Sequence, residues 1–255
     1  MVTQSRPPLP GASPPHPILL LTRPAEASAR FAAQVQDVLG SVITVVTSPL
    51  IRPHFVDPPP SQMILLRQAR GIVFTSETGV AGFARISADR SLPAFCVGPR
   101  TAQAARSAGF TATEHGGDAA HMAPDLIRLR PTPPLIHARG VDTTGDLAGA
   151  LSAGGLPATG IIVYDQCEQP LSVQAAAVLA GSRPVVVPLF SPRSASLFAV
   201  AADGARAPLF LAAISAAAAE PLNGLGAMVL RLAIEPTAEG MVTAVAEMWR
   251  DIPSS

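Results

Sequence analysis

Hydroxyl and guanidinium side chains recur in this chain where short apolar runs end. Thr22-Arg23 follow Ile18–Leu21, and Thr75-Ser76 follow Ile72-Val73-Phe74. Gly98 and Thr101 follow Ala94–Val97, and Arg139 follows Leu135–Ala138. Ser191, Arg193 and Ser194 follow Pro184–Phe190, and Ser215 follows Pro208–Ile214. Hydroxyls, backbone amides and the planar fork of Arg form a set that grips carboxylates. The same set is poorly equipped for metal or covalent chemistry. Tyr164 is the sole tyrosine, closes the apolar run Gly160–Tyr164, and is the one distinctive acid–base candidate. Its other reading is a packing residue.

Gly71–Phe83 shows how such residues would be positioned. Ile72, Val73 and Phe74 are a β-forming apolar run that stops at two hydroxyls. Val80, Phe83 and Ile86 then fall at helical spacing. A strand feeding a hydroxyl-rich turn and a helix places amide and hydroxyl donors at the carboxyl end of a sheet. Open α/β folds bind ligands there, and a helix N-terminus suits an anion. Ser76 also fits a simple N-cap, and both readings stand at this stage.

The rest of the chain alternates in the same way, which implies parallel α/β sheet. Strands are expected near 18–21, 42–46, 94–97, 111–114, 135–138, 160–164, 184–190, 208–214 and 228–234. Phe31, Val35 and Val38 mark a helix closing at Gly40, and Met241, Val245 and Met248 mark the last one. Ser48–Pro60 reads as irregular because of its prolines. Residues 1–17, with six prolines from Pro7 to Pro17, read as an extended tail, and 250–255 as a short one.

The two halves repeat each other. A shift of 116 places Arg23 on Arg139 and Val45-Val46 on Ile161-Ile162. A shift of 115 places Thr75-Ser76 on Phe190-Ser191 and Phe83 on Phe198, and one of 117 places Val97-Gly98 on Ile214-Ser215. Near-constant register over five elements predicts two similar lobes with equivalent loops, able to face one another across a cleft. A duplicated scaffold without a shared ligand is the plainer alternative.

Composition removes other classes. At 48% hydrophobic and 14% charged, the 255 residues are long and apolar enough for a sizeable core. Eighteen basic residues, all Arg, balance eighteen acidic ones, so no electrostatic footprint for nucleic acid or an acidic membrane is present. No apolar run reaches the roughly 20 residues of a membrane span, and no secretory leader pattern opens the chain. Cys96 and Cys167 lie far apart and read as buried free thiols of a cytoplasmic protein. No glycine-rich dinucleotide turn, phosphate loop or nucleophile elbow occurs. The histidines are scattered; each reads as a surface or structural residue.

Several short stretches together resemble the uroporphyrinogen-III synthase family. They are Leu-Leu-Leu-Thr-Arg-Pro (19–24), Ile-Val-Phe-Thr-Ser-Glu-Thr-Gly-Val (72–80) and Val-Gly-Pro-Arg-Thr-Ala (97–102) with Gly109. Further on come Val-Tyr (163–164), Leu-Phe-Ser-Pro-Arg-Ser-Ala (189–195) and Glu-Pro-Thr-Ala-Glu-Gly (235–240). Order and spacing, not any single motif, carry the likeness. It implies an α/β fold of two flavodoxin-like parallel-sheet lobes joined by a two-stranded β linker. One lobe would be discontinuous, 18–40 plus 168–249, and the other continuous, 46–163. The linker strands would lie near 42–49 and 160–165.

The resemblance also implies the chemistry: cyclisation of hydroxymethylbilane to uroporphyrinogen III, without cofactor or metal. The substrate loses its terminal hydroxyl to give an azafulvene. The last pyrrole attacks through its substituted carbon, and the spiro-pyrrolenine fragments and recloses with that ring inverted. Tyr164 matches the family tyrosine that assists departure of the hydroxyl. Thr75, Ser76, Thr101 and Ser191 match its substrate-contacting hydroxyls, with Arg23, Gly98, Arg139, Arg193 and Ser215 expected to join them in carboxylate binding. Two departures stand out: Ile214-Ser215-Ala216-Ala217-Ala218-Ala219 lacks the usual Gly and Thr, and Asp165-Gln166 follows Tyr164 where Arg-Thr or Gln-Thr is common. The altered loop keeps a second reading open, a non-catalytic two-lobed module that binds a tetrapyrrole or other polycarboxylate. The expected working form is a cytoplasmic monomer that receives its substrate by transient handover from the preceding pathway enzyme, with no nucleic-acid or membrane partner.

Overall fold

The structure is a computed structural model and describes residues 16–143 and 145–252. The chain opens with β1 (Ile18–Leu21), α1 (Ala25–Leu39), β2 (Thr44–Thr47) and β3 (Ile51–Phe55). There follow α2 (Pro60–Gln68), β4 (Gly71–Phe74), α3 (Glu77–Ile86), β5 (Ala94–Cys96), α4 (Pro99–Ser107), β6 (Ala112–Glu114) and α5 (Ala119–Leu129). Next come β7 (Leu135–Gly140), α6 (Leu147–Ala153), β8 (Ala158–Glu168), α7 (Val173–Leu179), β9 (Val185–Leu189) and α8 (Pro192–Ala201). The chain closes with β10 (Leu209–Ala213), the four-residue α9 (Ala216–Ala219), a 3₁₀ turn, β11 (Val229–Leu232) and α10 (Ala238–Asp251). It is a mixed α/β fold on parallel sheets.

Two compact units emerge, one of residues up to Arg52 together with those from Glu168, the other Pro53–Cys167. In the first unit, five parallel strands run β11-β10-β9-β1-β2. All four residues of β1 are buried. Ile18 and Leu20 enter one hydrophobic layer while Leu19 and Leu21 enter the other. Alternation of side chains along a strand makes this possible, and a parallel sheet covered on both faces requires it.

The second unit carries the order β3-β8-β7-β4-β5-β6, with β4 to β8 mutually parallel. Ile72 and Phe74 pack to one side of β4 and Val73 to the other. Phe74, Phe83 and Phe110 meet edge-on at centroid distances of 5.6–6.0 Å, fastening α3 to the sheet. The order of strands reverses between β1 and β9 in the first unit and between β4 and β7 in the second.

Several sequence expectations change. Ser48–Pro60 is not irregular throughout: it contains β3, with Pro53 inside it. Its place at the edge of the sheet accounts for this, because an edge strand has N–H positions that need no partner. The strand expected over 42–46 begins at Thr44, and Val42 is 94% exposed. The end of the chain is not a tail from 250 onward, since α10 runs to Asp251 and Ile252 is buried against its layer. Residues 1–15 of the proline-rich segment and residues 253–255 lie outside the described residues. Cys96 is a buried free thiol, pushed by burial to about 11, but Cys167 is exposed. Among the described residues no helix is long and apolar enough to cross a membrane.

Candidate active site

The switch point between β4 and β7 holds a cavity of about 280 Å³, lined by Thr75, Ser76, His137, Gly140 and Tyr164 along with residues of the loop into α6. Reversal of strand order opens the two flanking connections in opposite directions, and this is the general place for a ligand in an open α/β sheet. Thr75 and Ser76 reach it from the end of β4. Ser76 is the N-cap of α3, its Oγ accepting from the Gly79 amide at 2.9 Å. A cap of this kind contributes about 1 kcal/mol. Gly79 lets the helix start lie directly on β7, because a Cβ there would stand 2.8 Å from the Ala138 carbonyl oxygen.

Tyr164 enters the same site through an irregularity in β8. The register pairs Arg139 with Ile162 and then Gly140 with Tyr164, skipping Val163. In a regular strand Val163 and Tyr164 would face opposite sides. Both instead pack into one layer with Ile161. The bulge therefore re-aims the phenol, which lies 3.3 Å from Ser76 Oγ. Gly140 lies beneath the ring: a Cβ on it would come within 2.8 Å of two ring carbons and 3.1 Å of the hydroxyl. Tyr164 is 8% exposed and lines the cavity.

His137 is the buried polar residue of β7, only 3% exposed, with Nε2 sharing a 3.1 Å hydrogen bond with Thr75 Oγ1. Burial, followed by the nearby Arg139 guanidinium, pushes the imidazole down to about 4, against an upward pull from Asp146. The sign of the linkage is fixed by this. An unfolded histidine takes a proton below about 6.5, whereas the folded one resists down to about 4. Stability is thus fully present above pH 6.5 and falls as the pH drops toward 4, by roughly 3 kcal/mol over that window. Urea unfolding at pH 7 and pH 4.5 should show a steeper loss for the natural chain than for His137→Asn. Equal losses in the two would contradict this environment.

The structure brings together Thr75, Ser76 and Tyr164 of the sequence-derived set. Tyr164 lies inside β8 and does not end it. Arg139 is adjacent, but its guanidinium turns back to donate to the carbonyls of Gly140 and Val141. Gly98 caps α4 in extended backbone, and Thr101 is buried in the first turn of that helix. In the other unit, Arg23 lies 4.0 Å above the Phe190 ring, at the ends of the adjacent strands β1 and β9. Ser191 is the N-cap of α8, accepting from Ser194 N–H at 3.1 Å, and Arg193 stands in that first turn. Ser215 caps α9 through the Ala218 amide at 3.3 Å.

The profile of a protein family described as uroporphyrinogen-III synthase HemD matches residues 36–243. The chain belongs to that family. Among solved structures, this member superposes on the uroporphyrinogen-III synthetase of Helicobacter pylori 26695 with a TM-score of 0.58 at 14% identity, over 91% of this chain and 99% of that one. A mutant uroporphyrinogen III synthase of the extremely thermophilic bacterium Thermus thermophilus gives a TM-score of 0.48 at 14% identity, covering 93% and 100% of the two chains. The first likeness extends the shared fold across nearly the whole chain. No curated protein matches by sequence.

Two site features escape the reading of the sequence. His137 falls there among the scattered histidines, although a polar residue within an apolar run that fills a buried strand is itself a signal. Gly140 carries no motif, and its role depends on a bulge that only the strand pairing reveals.

Proposed function

We propose that this chain cyclises hydroxymethylbilane to uroporphyrinogen III, with Tyr164 as the acid that releases the terminal hydroxyl. The observation that carries the reading is the phenol of Tyr164, aimed by a strand bulge into a switch-point cavity and held 3.3 Å from a helix-capping serine. Ser76 Oγ already accepts from the Gly79 amide, so its own proton is available to the phenol oxygen. That leaves the phenolic hydrogen for the substrate and steadies the phenolate that follows.

The chemistry follows from the substrate. The carbon–oxygen bond of the hydroxymethyl group breaks, and its electron pair leaves with the oxygen. The oxygen takes the phenolic proton and departs as water, while positive charge spreads over the pyrrole and its exocyclic carbon. The last ring attacks that carbon, the spiro intermediate fragments, and reclosure inverts the ring. The proton released as the macrocycle regains its aromatic pyrroles restores the phenol. Carboxylates on every ring suit the helix starts of α3, α4 and α8, at Ser76, Gly98, Thr101, Ser191 and Arg193. Ser215 retains one such position although its loop lacks the usual Gly and Thr. Arg23 and Arg139 are assigned to shaping these strand ends.

The reading includes a duplicated architecture of two flavodoxin-like lobes. Under the repeat, β7, β8, β4, β5 and β6 correspond to β1, β2, β9, β10 and β11, and both sheets then have one strand order. The chain passes between the units through β3 and the end of β8, which we take as the β linker in place of 42–49, because β2 pairs with β1 inside the first sheet. The working form is taken to be a cytoplasmic monomer that receives its unstable substrate directly. Supplying hydroxymethylbilane to the purified chain and separating the isomers tests the activity. Excess type III product supports it; type I alone at the spontaneous rate would leave only a binding module.

A further inference from the structure

His137, in the lining of this cavity, has an uncommitted nitrogen. Its Nε2 is bonded to Thr75 Oγ1, and among the described residues no group is bonded to its Nδ1. The residue nevertheless lines the cavity that Tyr164 and Ser76 share. An imidazole anchored by one nitrogen, with the other bonded to no protein group yet not sealed from the cavity, presents that second nitrogen to whatever the cavity binds. The ligand must offer a donor or an acceptor of its own at that point.

Resting on the cyclisation reading above, we propose that His137 is a catalytic residue of this chain. Its Nδ1 lone pair accepts the N–H of the pyrrole ring that bears the hydroxymethyl group, while Nε2–H donates to Thr75 Oγ1. The ring nitrogen is where positive charge gathers as the hydroxyl leaves. A neutral acceptor aimed at it strengthens its hydrogen bond as that charge develops, so its stabilisation is greater in the transition state than in the ground state. A protonated imidazole would repel the same cation. Burial and the Arg139 guanidinium keep the ring unprotonated at neutral pH. No proton moves to His137; Tyr164 gives the one proton that the leaving oxygen needs, at the other end of the same reacting group. Thr75 then acts as a positioning residue, fixing which imidazole nitrogen carries hydrogen.

Two substitutions separate this role from a structural one. His137→Gln keeps a group near the Nε2 position that can still bond Thr75, but removes the acceptor near Nδ1. His137→Asn keeps an acceptor near Nδ1 and loses the Thr75 bond. With hydroxymethylbilane as substrate, His137→Gln should lose about 10- to 100-fold in kcat with KM little changed, the worth of one hydrogen bond to a charged centre. His137→Asn should retain kcat within about fivefold if that acceptor suffices. Full turnover in His137→Gln, or a deeper loss in His137→Asn than in His137→Gln, would overturn the proposal. A readout that needs no variant is the nitrogen NMR spectrum of histidine-labelled protein. An unprotonated Nδ1 of His137 should shift on adding uroporphyrinogen III, and a protonated or unmoved Nδ1 would equally overturn it. If the natural chain makes no type III product at all, the cyclisation reading fails first, which is a distinct result.

Discussion

Replacing Tyr164 by Phe should lower kcat about 10²- to 10⁴-fold while KM stays within severalfold, the range expected when a positioned general acid is removed. The change is conservative in packing. The ring keeps its place in the layer with Ile161 and Val163, and only the hydroxyl disappears. The Ser76 hydroxyl loses the phenol oxygen as its acceptor, but it is only half-buried and lines the cavity, where water can take that place. Stability should therefore move by no more than about 1 kcal/mol. Rates with hydroxymethylbilane and urea midpoints on the same preparations check both halves. A variant as active as the natural chain would remove Tyr164 from the chemistry. A variant that is inactive because it has unfolded would show itself in the urea midpoint.

Gly140→Ala should be nearly as damaging without touching a reactive group. The new methyl would stand 2.8 Å from two Tyr164 ring carbons. Carbon–carbon contact is comfortable only near about 3.5–4.0 Å, so ring or strand must shift by about 1 Å. Gly140 is not among the glycines in left-handed backbone, so an alanine can adopt its conformation and the effect is steric. Overpacking of this kind costs about 1–3 kcal/mol of stability. A displacement of about 1 Å at a reacting group costs about 10² in rate. The two substitutions should be strongly non-additive: in the double variant Gly140→Ala with Tyr164→Phe, kcat should fall little below that of Tyr164→Phe alone. Unimpaired turnover in Gly140→Ala would mean that the phenol's placement over β7 does not matter. Additive losses would mean that Gly140 acts on something other than Tyr164.

Much of the scaffold is legible in the chain because its information is local. Ile18–Leu21 and Gly71–Phe74 read as two-faced buried strands from composition alone, and the hydroxyls after Phe74 fall where α3 begins. Thr75, Ser76 and Tyr164 can therefore be singled out without coordinates. What stays hidden depends on pairing. The bulge that turns Tyr164 toward Ser76 exists only in the register between β7 and β8. Gly140 matters because of a ring far along the chain that this register lays across it. Arg139 looks like a carboxylate ligand by position, yet its guanidinium is bonded to carbonyls of its own strand end. Edge placement is equally non-local, and it is what allows Pro53 to sit in a strand. His137 falls between these cases: its burial follows from the strand pattern, its contact with Thr75 does not.

The most direct measurement is the isomer composition of the macrocycle made from hydroxymethylbilane as the concentration of this chain is raised. Control of ring inversion is the function assigned to the cavity, and spontaneous closure supplies its own baseline of uninverted product. The type III fraction should climb with added protein until it dominates, and Tyr164→Phe at equal concentration should leave the mixture close to the spontaneous one. A type III fraction that never rises above the protein-free control, from folded natural chain, would contradict the account.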